Sequence, residues 1–288
     1  NAVHPKTGTT DALFRHARYS EERTLALPSD EALDIVTDEL KKRRFRVLGE
    51  RPGLYADRFR WGPFGTAIAH AAFVMILFGM LVSSVTGFES TLFVTVGDRV
   101  PVGHGTDLEL EVQGFEDTYY SDGRPSDYVS DVVLYQGGEA VASEPELRVN
   151  MPLRYEGLKF LQTTFGVSAD VTVLSPNGET IHDGGVPLLA TTTDGTEVFG
   201  RITIPGEEAE IVVVVPASGQ VSVNMRPGQA AFLLDQGPDN QVPNVVADQG
   251  QEADLEDYSV TFNRESKYTG LTVVRDHGAP WVWVGSIL

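Results

Sequence analysis

Residues 64–85 read FGTAIAHAAFVMILFGMLVSSV, 22 positions without a single Asp, Glu, Lys or Arg. As an α-helix this stretch is ~33 Å long at ~1.5 Å per residue, which matches a hydrocarbon core of ~30 Å. Uncharged runs above ~18 residues are the pattern of membrane spans; a buried core helix is the other structure such a run can make. The run follows 63 residues and has no small-residue cleavage pattern behind it at an N-terminal position, so it does not read as a signal peptide. The reading predicts a transmembrane helix over 64–85.

Charge divides around that helix. Residues 1–63 carry 12 Lys+Arg and 10 Asp+Glu, net +2, whereas residues 86–288 carry 10 and 31, net −21. The whole-chain value of −19 is their sum. Lys41, Lys42, Arg43, Arg44, Arg46, Arg51, Arg58 and Arg60 precede the helix, with Trp61 at its boundary, and the other flank, TGFESTLF, has no base before Arg99. Positive-inside reasoning makes 1–63 a cytoplasmic loop segment and 86–279 an extracytoplasmic domain. Residues 280–288, PWVWVGSIL, open on two tryptophans and stay apolar. They read as the start of a further membrane helix, or as a short apolar terminal strand.

Composition removes several classes of function. An acidic surface without a basic stripe repels phosphate, which excludes nucleic acid as a partner. With no cysteine there is no disulfide, thiolate metal site, Fe–S cluster or dithiol redox chemistry in this chain.

The cytoplasmic segment predicts a helix from Pro28-Ser29-Asp30-Glu31 to the KKRR of 41–44, with Ser29 near the N-cap and charges suited to the helix dipole. FRVLGE and GLYADRF around Arg51-Pro52-Gly53 predict a hairpin. The acidic part reads as β. Leu108, Leu110 and Val112 alternate with Glu109, Glu111 and Gln113. Similar short runs are 132–135, 170–174, 200–204, 210–215, 221–224, 258–262 and 270–275. Turn-forming dipeptides lie between them: Gly137-Gly138, Asn177-Gly178, Asp194-Gly195 and Ser218-Gly219. The expected fold class is a mainly β, antiparallel sandwich or open barrel attached to the membrane helix, with a small α+β cytoplasmic segment. Residues 235–257 carry seven acids and no base, and read as a solvated loop.

The acidic part lacks HExxH, P-loop, GxSxG and GxGxxG patterns, and its acids do not follow a calcium-loop spacing. His104, His182 and His277 lie far apart, and the adjacent pairs His182-Asp183 and Asp276-His277 would point to opposite faces of a strand. No catalytic residue is assigned.

His70 is different. It is the one ionisable side chain in the apolar run, six residues from Phe64. An imidazole facing lipid is costly, so it is expected to face other helices, beside the small residues Gly65, Ala67, Ala69, Ala71 and Ala72 and the Gly79/Ser83 pair. Three roles fit: an interhelical hydrogen bond, a proton relay with no acid nearby on this helix, or an axial ligand to a haem held in the membrane through its neutral nitrogen.

Three blocks carry a family resemblance. LYADRFRWGPFGTAIAHAAFVMILFG (54–79) resembles the membrane segment that precedes the large domain of ResB/CcsB proteins. VSDVVLYQGGEAVASEPELRVNMPLRYEGLKFLQTTFG (129–166) is similar to the family's VN-x-P-L-x-Y-x-G block, and FNRESKYTGLTVVRDHGAPWVWVGS (262–286) to its Y-T-G-L…D-x-G-x-P-x-V-W-x-G block. Met151 stands where a His is common and His277 where a Pro is common. The resemblance implies a component of the system II cytochrome c biogenesis complex. Such a protein works with a ResC/CcsA-type partner to carry haem b across the membrane and join it to apocytochrome c, at most as a subunit of a synthase. It also implies two membrane helices upstream, a last one from near Trp281, and His70 as the intramembrane haem ligand. A membrane-anchored ligand-binding or sensory protein is the alternative from the residues alone.

Overall fold

A computed structural model describes residues 11–288 except positions 50, 60, 218–219, 221, 223 and 238–240. Two compact units emerge, residues 82–278 and the segments flanking them.

The flanking unit holds helix α1 (Asp11–His16), helix α2 (Ser29–Lys42), strands β1 (Arg46–Leu48) and β2 (Tyr55–Asp57), most of helix α3 (Gly62–Thr86), and helix α4 (Ala279–Ile287). The expected helix and hairpin are both present. Acids Asp30 and Glu31 occupy the first turn of α2 and Lys41 and Lys42 the last, complementing its dipole. Ser29 is a correction: it is the first helical residue, the cap position falls to Pro28, and no side chain caps the turn. In the hairpin Arg46 pairs across to Asp57, and their side chains form an ion pair that is largely shielded from water.

The second unit is β throughout, apart from the last turn of α3. Its central sheet contains β3 (Phe88–Thr95), β8 (Leu153–Tyr155), β9 (Leu158–Leu174), β10 (Thr180–Pro187), β16 (Glu252–Leu255) and β17 (Tyr258–Arg275). The strand order is β10-β9-β17-β16, with β8 also on β9 and β3 also on β17. A four-stranded sheet runs β4 (Arg99–Pro101), β5 (Leu108–Tyr119), β6 (Pro125–Gln136) and β7 (Glu139–Leu147). A five-stranded sheet runs β11 (Ala190–Thr191), β12 (Glu197–Thr203), β13 (Glu210–Pro216), β14 (Gln229–Asp235) and β15 (Asn244–Asp248). Every pairing within these three sheets is antiparallel. The mainly β fold class holds, realised as two sandwiches that share one sheet.

Two separate cores follow. Leu110, Leu134 and Leu147 of the four-stranded sheet pack with Phe160, Leu271 and Val273. Ile211, Val213 and Phe232 of the five-stranded sheet pack with Val171, Val173, Val260 and Phe262. The buried positions of β9 change parity between the cores, from Leu158 and Phe160 to Val171 and Val173. Those of β17 change likewise, from Val260 and Phe262 to Leu271 and Val273. Side chains alternate along a strand, so a regular ladder would turn the two sets to opposite faces. Two bulges correct the phase: Thr163 is the extra residue in β9 and Asn263 in β17. Both cores therefore lie on one face of the central sheet.

On the other face the sheet coils tightly. Thr95 and Ser168, on strands that flank β17 from opposite sides, bring their hydroxyls to 2.6 Å. Gly185 permits this, because a Cβ there would lie 2.1 Å from the Thr95 hydroxyl.

Two further expectations are revised, and a third falls outside the described residues. Runs 258–262 and 270–275 belong to one 18-residue strand, because polar residues between them still make ladder bonds with β9. Residues 235–257 are not a loop: β15 and β16 lie within them, pairing with β14 and β17 while their acids face water. The run 221–224 lies in part outside the described residues, and so does the Ser218-Gly219 turn.

Candidate functional site

The first 20 residues of α3 set the surroundings of His70. Phe64–Thr86, 23 residues, contains an 18-residue stretch of mean hydropathy 2.2, and is long and apolar enough to cross a membrane. α4 packs along one side of it. A Cβ on Gly285 would lie 2.7 Å from the Ala72 carbonyl and 2.8 Å from Ile76, and the Trp281 ring meets Phe78 edge-on at 5.5 Å. Gly79 is buried on that same stripe. At 100° per residue, Ala72, Ile76 and Gly79 share one face of the helix, while His70 lies opposite with Phe73, Leu77 and Leu81. All four of these are exposed. The small Gly79/Ser83 stripe therefore lies on the face away from the histidine, which corrects its use as evidence of close helix packing around His70.

The ring of His70 is held by its own helix. Nδ1 lies 2.7 Å from the Thr66 carbonyl oxygen, an acceptor only, so Nδ1 carries the hydrogen. In a neutral imidazole this leaves the lone pair on Nε2, directed away from the backbone. Gly65, Thr66, Ala67 and Ala69 around it are small.

The other histidines occupy different places. His104, with φ +53, stacks on Phe88 at 4.0 Å between ring centroids. His182 donates from Nε2 to the Gly184 carbonyl at 3.2 Å. Asp276 and His277 do not lie on a strand; both follow β17 and bind the last turn of α3. Asp276 accepts from the Ser83 hydroxyl and the Gly278 N–H, and His277 Nδ1 lies 3.3 Å from the Thr86 hydroxyl oxygen. Gly87 completes the joint: a Cβ there would lie 2.6 Å from the Ser83 carbonyl and 2.7 Å from that of Arg275.

Residues of the two blocks at 129–166 and 262–286 are architectural. Glu156 and Gly157 form the left-handed turn between β8 and β9, with φ of +44 and +80. Tyr268 lies over Gly166, Thr269 accepts from Ser130 inside the core, and Gly270 faces Thr164. An apolar groove of about 460 Å³ lies beside β3 and β10, lined by Phe93, Val186, Leu189 and Phe199. Its one charged group, Arg201, is held by Glu210 and Asp235. Among the described residues no three His, Asp or Glu side chains are arranged to hold a metal ion. Among the described residues one carboxyl is shifted upward by its surroundings. Burial pushes Asp98 above the usual carboxylate range, a shift opposed by the Gly185 N–H at 2.7 Å and reinforced by Asp170.

Fold and site together define a double β-sandwich whose chain includes an apolar helix bearing one exposed histidine, its Nδ1 bonded to the Thr66 carbonyl. The model of the ResB-like family matches residues 2–288, and the chain belongs to that family. It is similar to cytochrome c biogenesis protein Ccs1 of Rhodomonas salina, 28% identical over 260 residues that cover 86% of this chain and 56% of the relative. It is also similar to cytochrome c biogenesis protein CcsB of Synechococcus sp. (strain JA-3-3Ab), 22% identical over 275 residues covering 88% and 54%. For CcsB of Microcystis aeruginosa the figures are 24% over 269 residues, covering 89% and 57%. The chain thus spans a little over half the length of these relatives.

Proposed function

We propose that this chain is part of a membrane-bound component of system II cytochrome c biogenesis, in which His70 ligates haem b as cargo on its way across the bilayer. In this reading α3 spans the membrane, residues 1–63 lie in the cytoplasm, and the double sandwich stands on the opposite side. A ResC/CcsA-type polytopic protein receives the haem and joins it to apocytochrome c. One observation carries the ligand assignment: Nδ1 of His70 is committed to Thr66, so Nε2 is the nitrogen open to iron, on a helix face that α4 leaves uncovered. An imidazole on such a face inside a bilayer is costly unless something occupies it, and a haem between this helix and the partner would do so.

The chemistry divides accordingly. A bound haem supplies the vinyl groups to which the thiols of a CxxCH sequence add. This chain would supply an axial imidazole, oriented by the hydrogen bond at its other nitrogen, one lever on the iron potential. Without cysteine it cannot form mixed disulfides with the substrate thiols.

The test is co-expression of the full-length protein with its partner, followed by a haem stain and an absorption spectrum of the purified complex. His70→Ala should lower the haem content, and exogenous imidazole should restore it. Unchanged haem content and oxidation behaviour in His70→Ala would sink the assignment.

A further inference from the structure

Residues 29–61 carry eight Lys and Arg against seven acids, close to balance, but the two signs are sorted along the fold. Asp30, Glu31 and Asp34 lie at the start of α2, whereas Lys41 and Lys42 close it and Arg43 and Arg44 follow. The hairpin decides where each end lies. Arg46 is in register with Asp57, so the chain enters β1 and leaves β2 at one end, and four residues further on it becomes α3. Arg51, in the turn at the other end, forms ion pairs with both Asp30 and Asp34. That contact lays α2 along the hairpin, its acidic start at the turn and its basic end where the chain departs into α3.

At the basic end, residues 38–46 and 55–59 hold six bases against the three acids Asp38, Glu39 and Asp57, a net of +3. Arg60 adds a further base by sequence. Glu39 is shared by Arg43 at 2.9 Å and Lys42 at 4.0 Å, and Asp57 pairs with Arg46, so bases remain in excess after every pair is counted. Lys41, Lys42, Arg43, Arg44 and Arg58 are all exposed. At ~1.5 Å of rise per residue, Asp34 and Asp30 lie ~12 and ~18 Å from Lys42 along the helix. Both distances exceed a Debye length of ~8 Å, so the acidic start of α2 does not cancel its basic end. Two aromatic residues stand beside these bases. Phe59 is 76% and Trp61 60% exposed, and the Trp61 ring meets Phe64 at 5.4 Å.

We infer that this basic, aromatic end docks on the anionic phosphate headgroups of the leaflet where α3 begins. The inference rests on the reading of α3 as a membrane span and is independent of the haem assignment. Bases at the end of a helix and at the exit of a hairpin are spread out, and a layer of headgroups can meet all of them at once. The aromatics select among anions. A free phosphate or a polynucleotide would use the bases but leave Phe59 and Trp61 in water. A membrane boundary takes both, because amphipathic rings settle at headgroup level while bases attract the anionic surface.

The experiment places the whole chain in nanodiscs of phosphatidylcholine alone or mixed with phosphatidylglycerol. Both leaflets of a disc have one composition, so orientation does not enter. Amide hydrogen exchange is read over 40–46 and 55–61, with the lipid retained in native mass spectrometry. The mixture should slow exchange in both segments and leave phosphatidylglycerol bound, and added salt should weaken both effects. The combined Lys41→Gln, Lys42→Gln, Arg44→Gln, Arg58→Gln variant should lose that preference, by ~5-fold for each charge removed. Exchanging the same four for the other base, Lys41→Arg, Lys42→Arg, Arg44→Lys and Arg58→Lys, should keep it, which separates charge from folding. Equal protection in the two lipids, or a preference that survives the Gln variant, overturns the inference. Protection reproduced in phosphatidylcholine discs by inorganic phosphate or by an oligonucleotide overturns it in favour of a soluble anion. Vesicle flotation after an alkaline wash tests the span separately. A chain that no longer floats breaks the span reading and this inference with it, and a floating chain without lipid preference breaks the inference alone.

Discussion

Single residues hold the joints of this protein, and two of them carry sharp expectations. Gly87 has carbonyl oxygens of Ser83 and Arg275 where a Cβ would stand, and neither backbone group can move aside cheaply. Gly87→Ala should therefore destabilise the protein by about 1–3 kcal/mol, within the range for overpacking. Thermal unfolding would check this, and a melting point equal to wild type would show that the helix end shifts freely. Asp98 behaves differently. Burial raises its pKa in the native state, so the native fold favours the protonated carboxyl. Its contribution is therefore most favourable below the unfolded pKa of about 3.9 and is lost as pH rises through the higher native value. Asp98→Asn keeps an acceptor for the Gly185 N–H and carries no charge. It should raise the melting temperature near neutral pH, with the difference shrinking to nothing near pH 3, as followed by scanning calorimetry across pH. At this scale His70 was legible in the sequence, because it stands alone in an uncharged run. Its tautomer was not, since that depends on the ring reaching the Thr66 carbonyl one turn back.

At the scale of elements, the bulges of β9 and β17 decide which side chains are buried. Removing Asn263 would put Tyr258, Val260 and Phe262 out of phase with the core they now fill. Each buried side chain of this size is worth about 1.5–3 kcal/mol, so the deletion should abolish cooperative folding. Asn263→Ala keeps the register and loses only the side-chain bonds to Asp170 and Thr172, at 3.3 and 3.1 Å, for about 1 kcal/mol. Denaturant titrations of the two variants should differ accordingly; similar curves would mean that the strand slips without penalty. A second element-scale contact joins β17 to β5. Lys267 pairs with Asp117, whose side chain is only 8% exposed. Burial would raise the Asp117 pKa, yet the Lys267 ammonium and the Tyr119 hydroxyl hold it below the usual range. Lys267→Met leaves that carboxylate shielded and unpaired, and should cost about 1–3 kcal/mol above pH 4, with recovery in the Lys267→Met, Asp117→Asn double variant. The strands themselves were largely readable from alternation and turn residues. Two features were not: the continuity of β17 through the polar stretch NRESKYT, and the strands inside the acidic segment 244–255. Both form because a neighbouring strand supplies the ladder, which local patterning does not register.

For the whole molecule, the long strands β9 and β17 run through both cores, so each sandwich takes one of its two layers from the same shared sheet. The two should unfold as one cooperative unit. Phe160→Ala in one core and Phe232→Ala in the other should each cost about 3–5 kcal/mol and move hydrogen exchange in both sandwiches together. Protection lost in one sandwich alone would contradict this.

The amino-acid sequence determined the parts of this protein that depend on local composition: an uncharged helix of membrane length, a balanced segment before it, an acidic β domain after it, and one histidine in the apolar run. Family membership was readable too, because its residue blocks occupy turns and crowded strand centres whose identities the backbone dictates. Tertiary structure alone decided the rest. It placed both cores on one face of a shared sheet, set α4 against the side of α3 away from His70, and closed the joint at Gly87 by bonding Asp276 to Ser83. Each of these depends on register and packing between residues more than a hundred positions apart, and such distances leave no trace in local periodicity.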